Sequence, residues 1–185
     1  MRRLVCCLLC GAWISACSDG PPDKERQQAE GAVQAAAAAG AETYAPTELQ
    51  DAKAALAKYD AAVAQHDYRQ ALNSALEARD RAYDAVKRVG NQKAELRSRA
   101  DHLVVDLEAL VAVATTRLSG GVRASGAAGD RLRQSRDAAR TALQEARSLI
   151  EKQELRAAVD RLTQSSEALR HEMPGLESAA AKKKK

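Results

Sequence analysis

The stretch PTELQDAKAALAKYDAAVAQHDYRQALNSA, residues 46–75, predicts two helices joined by a tight turn. Pro46 suits the first turn of a helix, where the backbone N–H that proline lacks would have no partner anyway. Apolar residues then recur at spacings of three and four, which is the pattern of one buried helix face. Asp67 interrupts this pattern as a favoured N-cap residue, and Gln70 is its predicted reciprocal partner. The stretch therefore predicts an antiparallel helical hairpin that turns at residues 65–67.

Each helix of this hairpin carries one apolar face. Thr47 and Gln50 are spaced as a capping box at the start of the first helix. Because residues three and four apart share a helix face, we expect the apolar side chains to pack between the helices. They are Leu49, Ala52, Leu56, Tyr59 and Val63 on the first helix, and Tyr68, Leu72, Ala75, Leu76, Tyr83 and Val86 on the second. We interpret the tyrosines as packing residues rather than as a ligand-binding cage.

Helical composition continues on both sides of the hairpin. Residues 24–39 predict a helix that ends at Gly40, a common capping residue. Beyond the hairpin the pattern runs to Leu118, a helix of about 75 Å at about 1.5 Å per residue, unless Gly90 breaks or kinks it. Residues 102–118 are the most apolar part, and we interpret them as the centre of the core. Since no strand pattern occurs, the predicted fold class is all-α, with antiparallel helical hairpins forming an elongated bundle.

We group residues 24–118 as one N-terminal helical hairpin region. A predicted glycine-rich linker at residues 119–129 separates this region from a second hairpin. The second hairpin covers residues 130–173 and turns near residues 152–154. An offset of 87 residues aligns the two hairpins, and it pairs Ala52 with Ala139, Ala55 with Ala142, Leu56 with Leu143, Val63 with Ile150, Asp67 with Glu154, Tyr68 with Leu155, Arg69 with Arg156 and Ala71 with Ala158. Alanine-rich helices agree easily by chance, so internal duplication and shared composition both stay open.

The first residues have the pattern of an export leader. Residues 1–3 are basic, and about eleven mostly apolar residues follow, enough for a signal-peptide core and too few to span a bilayer. All four cysteines lie at or before Cys17, so the body has no thiol for a disulfide, a zinc site or a nucleophile. The motif Ile14-Ser15-Ala16-Cys17 resembles the lipobox of bacterial lipoproteins. An ordinary secretory signal cut after Ala16 is the alternative.

The lipobox resemblance implies a lipid anchor. In that family the peptide is cut before the cysteine, so residues 1–16 would be the signal peptide, Cys17 would carry acyl chains, and residues 17–23 would be a tether. Two or more acyl chains give stable membrane attachment. In Gram-negative lipoproteins an aspartate directly after the cysteine retains the protein in the inner membrane. Ser18 stands there in this chain, which implies the periplasmic face of the outer membrane.

A second resemblance covers residues 35–89. The segment Tyr44-Ala45-Pro46-Thr47-Glu48-Leu49, followed by Asp67-Tyr68-Arg69-Gln70-Ala71, resembles a family of bacterial lipoproteins with domain of unknown function 4398. The resemblance implies helical hairpins that face the periplasm and have no assigned catalytic residues. It therefore supports an envelope role without naming a ligand.

The sequence offers no constellation for catalysis or metal binding. The three histidines, His66, His102 and His171, are far apart and have neither a second histidine four residues away nor a cysteine nearby. Oppositely charged pairs such as Glu77 with Arg81 and Glu95 with Arg99 are spaced to stabilise exposed helix faces. We therefore predict no enzyme activity, no metal and no cofactor besides the acyl chains.

A basic tail is predicted at residues 174–185, ending in Lys182, Lys183, Lys184 and Lys185. The formal charge of the chain is +4, and without these lysines and the leader arginines the body is slightly acidic. Three interpretations stay open for the tail: a solvated end, electrostatic contact with acidic envelope polymers, and covalent attachment to peptidoglycan. The last is suggested by Braun's lipoprotein, a short helical lipoprotein whose terminal lysine, similar in position to Lys185, is joined to the wall.

These observations predict a lipid-anchored helical adaptor or structural lipoprotein of the bacterial envelope. The expected partners are the membrane, through the acyl chains, and an envelope protein or peptidoglycan, through helix faces. A cell-wall tether that uses the lysine tail is the alternative function. Export and an acidic body both oppose nucleic-acid binding, and the oligomeric state stays open.

Overall fold

A computed structural model describes residues 20–120 and 126–173, and both ranges are almost entirely helical. They contain six α-helices and no strand, which confirms the predicted all-α fold. The helices are α1 (Asp23–Ala39), α2 (Ala41–Tyr44), α3 (Pro46–Ala64), α4 (Tyr68–Ser119), α5 (Ala127–Glu151) and α6 (Leu155–Glu172). The predicted signal peptide, the lipidation site Cys17 and the tail lysines 182–185 lie outside the described residues.

Backbone chemistry sets the boundaries of the first helices. Gly40 follows α1 with φ 98°, the left-handed conformation that glycine adopts without steric cost. The short helix α2 comes next and was not predicted. The predicted capping box of Thr47 and Gln50 is wrong, because Thr47 is already inside α3 and the N-cap is Ala45, which makes no side-chain cap. The N–H of Leu49 instead donates to the Ala45 carbonyl at 3.1 Å, so backbone contacts alone start this helix.

The long helix α4 continues through Gly90 without interruption, so the predicted alternative of a break there is wrong. A methyl group built on Gly90 would meet no other atom within 4 Å. Packing therefore does not require glycine at this position, and the available space would accept the side chain of alanine.

Tertiary contacts divide the chain into two compact units, Met1–Val89 and Gly90–Lys185. Within the described residues, the first unit holds α1, α2, α3 and the first part of α4, and the second unit holds the rest of α4 with α5 and α6. This grouping differs from the predicted N-terminal region at 24–118, because Leu107 and Val111 of α4 pack in one core with α5 and α6. The predicted linker at 119–129 is also helical at Ser119 and from Ala127 on.

Alanine builds the core of the first unit. Ala29, Ala55 and Ala78, one each from α1, α3 and α4, form a buried cluster. In this unit the buried face of α4 consists of small residues with one valine at its end: Ala71, Ser74, Ala75, Ala78, Ala82, Ala85 and Val89. Short side chains let helix axes approach closely, and on α4 the larger Leu72 and Leu76 lie at the margins of the contact.

The prediction that Tyr83 and Val86 pack in the core of the first unit is wrong. Tyr83 is 60% exposed and Val86 is 38% exposed, and Leu72 and Leu76 are only half-buried. On α3 the prediction holds better, since Leu49, Ala52 and Tyr59 are buried. The interpretation of Tyr59 as a packing residue is thus confirmed, whereas Tyr83 lies on the surface.

Larger side chains build the core of the second unit. Its fully buried leucines, each at most 1% exposed, are Leu107, Leu132, Leu155, Leu162 and Leu169. The expectation that residues 102–118 form the centre of the core is correct for one helix face. On the other face Val105 is 63% exposed and Val113 is 45% exposed.

Candidate functional site

The first hairpin turns through a left-handed residue that is not glycine. His66 has φ 58°, and the backbone N–H groups of His66 and Asp67 donate to the carbonyls of Val63 and Ala62 at 3.0 and 2.9 Å. This pair of bonds is the Schellman motif, which satisfies carbonyls at the end of a helix. The tight turn predicted at residues 65–67 is therefore confirmed.

The second hairpin turns in the same way. Gln153 has φ 62°, and the N–H groups of Gln153 and Glu154 donate to the carbonyls of Ile150 and Leu149 at 3.1 and 2.9 Å. Every member of this motif lies 87 residues after its counterpart in the first turn. Among the residues that the structure describes, these are also the two non-glycine positions with positive φ. The sequence alignment of the hairpins thus extends to the backbone of their turns.

The two turns differ in how they cap the next helix. Asp67 accepts a hydrogen bond from the Gln70 backbone N–H at 2.9 Å through its carboxylate, as predicted. The predicted reciprocal bond between the Gln70 side chain and the Asp67 backbone N–H is wrong. The Gln70 side chain instead donates to the Ser74 hydroxyl at 3.4 Å. Glu154 occupies the matching position before α6 and makes no side-chain cap.

A polar cluster joins the start of α1 to the end of α3. The Tyr59 hydroxyl donates to the Asp23 carboxylate at 3.5 Å, and the Arg26 guanidinium lies 5.6 Å from the centre of the Tyr59 ring. Arg26 also pairs with Asp60 at 3.3 Å. Burial raises the pKa of Tyr59, the negative charge of Asp23 raises it further, and Arg26 opposes both. Sequence reasoning missed this cluster, since no local pattern links residues so far apart.

The chain enters the first unit through a bend at two prolines. The N–H of Asp23 donates to the Pro21 carbonyl at 2.9 Å, and Pro22 has φ −79° and ψ 66°. These angles are those of an inverse γ-turn. The last residue of the predicted tether, Asp23, is thus the first residue of α1.

The exit of the second unit lies beside the end of α4. Arg117 donates to the backbone carbonyl of Met173 at 3.1 Å, and Arg131 of α5 pairs with Glu172 at 3.3 Å. These contacts fix the end of α6, after which the predicted basic tail begins outside the described residues.

A shallow groove with a mixed polar and apolar lining lies in the second unit. Its volume is about 480 Å³, and it lies between α4 and α6. The hydroxyl of Thr163, which lines it, is buried without a hydrogen-bond partner. The other lining residues are Leu96, Arg99, Arg156, Val159, Asp160, Gln164 and Glu167. The lining supplies groups for hydrogen bonding and charge pairing but no histidine, cysteine or serine.

The structure does not bring the predicted histidines together. His66 lies in the first turn beside Tyr68, with its Nδ1 3.1 Å from the tyrosine hydroxyl, whereas His102 is on α4 and His171 on α6. In residues 20–120 and 126–173, no group of three or more His, Cys, Asp and Glu side chains is arranged to hold a metal ion.

Exposed ion pairs line the helices of both units. The predicted pair of Glu77 and Arg81 is present at 4.0 Å, and Glu77 also lies 3.9 Å from Lys58 of α3. The Glu95 carboxylate accepts a hydrogen bond from Gln92 at 3.5 Å. Such exposed pairs contribute at most about 1 kcal/mol each, so they make the surface polar without determining the fold.

Comparison with known proteins finds no relative: no family model, no curated protein and no solved structure matches this chain. Two resemblances therefore stay predictions that rest on the residues themselves. They are the likeness of residues 14–17 to the lipobox and that of residues 35–89 to the lipoprotein family. Within the described ranges, no helix is both long enough and apolar enough to cross a bilayer.

Proposed function

We propose that this protein is a lipid-anchored helical lipoprotein that acts as an adaptor or structural element at the periplasmic face of the bacterial outer membrane. The observation that carries the proposal is the motif Ile14-Ser15-Ala16-Cys17 directly after a short basic and apolar leader. Acyl chains on Cys17 would hold the body at the bilayer. Ser18, in place of aspartate, supports the outer membrane over the inner one.

The charged surface of the described residues supports the proposed adaptor role. Charged side chains cover the exposed helix faces, and the pairs Arg147 with Glu108 and Arg161 with Glu145 link neighbouring helices of the second unit. Side chains three and four residues apart share one helix face, so they can contact a partner protein together. We therefore assign contact with an envelope protein to helix faces of the body.

Mass spectrometry of the mature N-terminus tests the lipid anchor directly. We expect a chain that begins at Cys17 and carries acyl chains, and that fractionates with the outer membrane. Cys17→Ser should abolish acylation and release the protein from the membrane fraction. Ser18→Asp is the matched control, since it should keep acylation and move the protein to the inner membrane. An unmodified Cys17 in a soluble exported protein contradicts the proposal.

A cell-wall tether is the second candidate, and the lysine run at residues 182–185 favours it. Digestion of purified cell wall should then release muropeptides that carry the C-terminal peptide. Lys185→Arg separates covalent linkage from electrostatic contact, because it removes the terminal lysine amine and keeps its charge. A wall preparation that holds no linked peptide excludes covalent attachment, and wall binding that persists in high salt argues against simple charge attraction.

A further inference from the structure

The first unit has one end that must lie close to any membrane that holds Cys17. Helix α1 begins at Asp23, six residues after that cysteine. An extended chain covers at most about 3.6 Å per residue, so the anchored residue and the start of α1 are at most about 22 Å apart. The bend at Pro21 and Pro22 shortens this reach further.

The first hairpin turn lies at this same end. Arg26 pairs with Asp60 at 3.3 Å, and Tyr59 reaches Asp23, so the start of α1 lies beside the end of α3. At about 1.5 Å per residue, Gln65 is about 7.5 Å beyond Asp60 along α3, and Asp23 is about 4.5 Å beyond Arg26 in the same direction. The turn therefore projects slightly further than the start of α1.

We infer that this end of the first unit, formed by Lys24, His66, Tyr68 and Arg69, is the surface that lies against the lipid headgroups. The inference rests on the proposed lipid anchor and adds the contact surface to it. Lys24, His66 and Arg69 are exposed, and Tyr68 is half-buried with its hydroxyl beside the imidazole of His66. Tyrosine rings are favoured at the membrane interface, and long basic side chains extend toward headgroups.

Charge alone does not hold this surface to the membrane. Asp23 and Asp67 lie at the same end and offset Lys24 and Arg69. The occupant is thus the headgroup layer itself, brought close by the short tether, and the contact does not require anionic lipid. Thr43 lies in α2, which follows the opposite end of α1, and the 17 residues of α1 span about 24 Å.

Fluorescence quenching in vesicles tests this surface in the full acylated protein. The chain has no cysteine after Cys17, so His66→Cys and Thr43→Cys each give one labelling site once Cys17 is acylated. Arg69→Cys is a second variant at the same end, for use if the turn does not accept cysteine. Vesicles of phosphatidylcholine, with and without phosphatidylglycerol, carry a nitroxide quencher on the headgroup.

We expect a label at residue 66 or 69 to be quenched several times more strongly than a label at residue 43, in both kinds of vesicle. Equal quenching at the two ends, in protein that is acylated and floats with the vesicles, overturns the inference while the lipid anchor stands. Quenching at residue 66 only with phosphatidylglycerol overturns it as well, because the contact would then be electrostatic. Protein whose Cys17 stays unmodified overturns both the anchor and the surface built on it.

Discussion

The two units share the same kind of hairpin turn, but their cores are built from side chains of different size. Both turns use a left-handed non-glycine residue and the same pair of backbone bonds, 87 residues apart. The buried positions also correspond, because Ala75 and Leu162 are both fully buried, as are Ala82 and Leu169. A helical hairpin is thus specified by its turn and by which positions are buried, whereas the size of the buried residues varies with how closely the helices approach.

The largest effect is expected from shrinking the second core. Leu162→Ala should lower the free energy of unfolding by about 2–5 kcal/mol, since it removes buried methylene and methyl groups and leaves a cavity. Urea unfolding followed by circular dichroism measures the change. Val105→Ala, at a position that is 63% exposed, should change stability by at most about 0.5 kcal/mol. Equal effects of the two variants would contradict the assignment of this core.

Enlarging the first core at the matching position should cost somewhat less. Ala75→Leu is expected to destabilise by about 1–3 kcal/mol, because the closely packed alanine interface has no room for the added groups. Ala61→Leu, on the exposed side of α3, is the control for the intrinsic effect of leucine in a helix. If Ala75→Leu is as stable as the control in the same urea experiment, the alanine interface of the first unit has room for a larger side chain.

The difference between the two caps predicts an effect of about 1 kcal/mol. Asp67→Ala removes the carboxylate that accepts the Gln70 N–H at 2.9 Å, so stability should fall by about 0.5–2 kcal/mol. Glu154→Ala should change it much less, since Glu154 makes no such bond. Thermal unfolding of both variants measures the contrast. A larger loss for Glu154→Ala would reverse the comparison of the turns.

The shared left-handed residue predicts a small gain. His66→Gly and Gln153→Gly should each stabilise the protein by at most about 1 kcal/mol, because relief of the left-handed conformation exceeds the entropy cost of glycine. Gln65→Gly, at an ordinary φ of −92°, should instead destabilise. Effects of opposite sign at His66 and Gln153 would show that the two turns are not equivalent.

The smallest effect at neutral pH concerns Tyr59. Its raised pKa means that the folded state favours the neutral phenol, so this contribution to stability is complete below the ordinary tyrosine pKa of about 10 and is lost as pH rises through the higher folded value. Tyr59→Phe should therefore reduce the loss of stability between about pH 8 and about pH 11. Tyr83→Phe, at an exposed position, should leave that loss unchanged in urea unfolding at each pH.

Local backbone chemistry made much of the fold predictable. Gly40 ends α1, Pro46 begins α3, and Asp67 caps α4, as the sequence indicates. The predictions for Tyr83 and Val86 failed because hydrophobicity ranks side chains by size, whereas close helix packing selects small ones. The cluster of Arg26 with Tyr59 was unpredictable for another reason, since it forms only when α1 and α3 pack together.

The candidate sites also divide into those that a sequence motif marks and those that depend on tertiary packing. Cys17 and the lysines at 182–185 were predicted from motif and composition and lie outside the described residues, so they stay predictions. The groove around Thr163 and the end formed by His66 and Tyr68 depend on tertiary packing, and no sequence motif marks either of them. Sequence motifs thus mark the proposed modification sites, whereas tertiary packing forms the two candidate surfaces.

The alanine core of the first unit has a consequence for how this protein can change by mutation. A single base change in any alanine codon yields threonine, serine, proline, valine, glycine, aspartate or glutamate. At a buried helical contact each of these adds bulk, a polar group, a backbone break or flexibility, so none is a like-for-like exchange. Leucine codons in the second unit reach valine, isoleucine or methionine in one step. Because these side chains stay apolar and similar in size, that core tolerates single base changes better than the alanine core does.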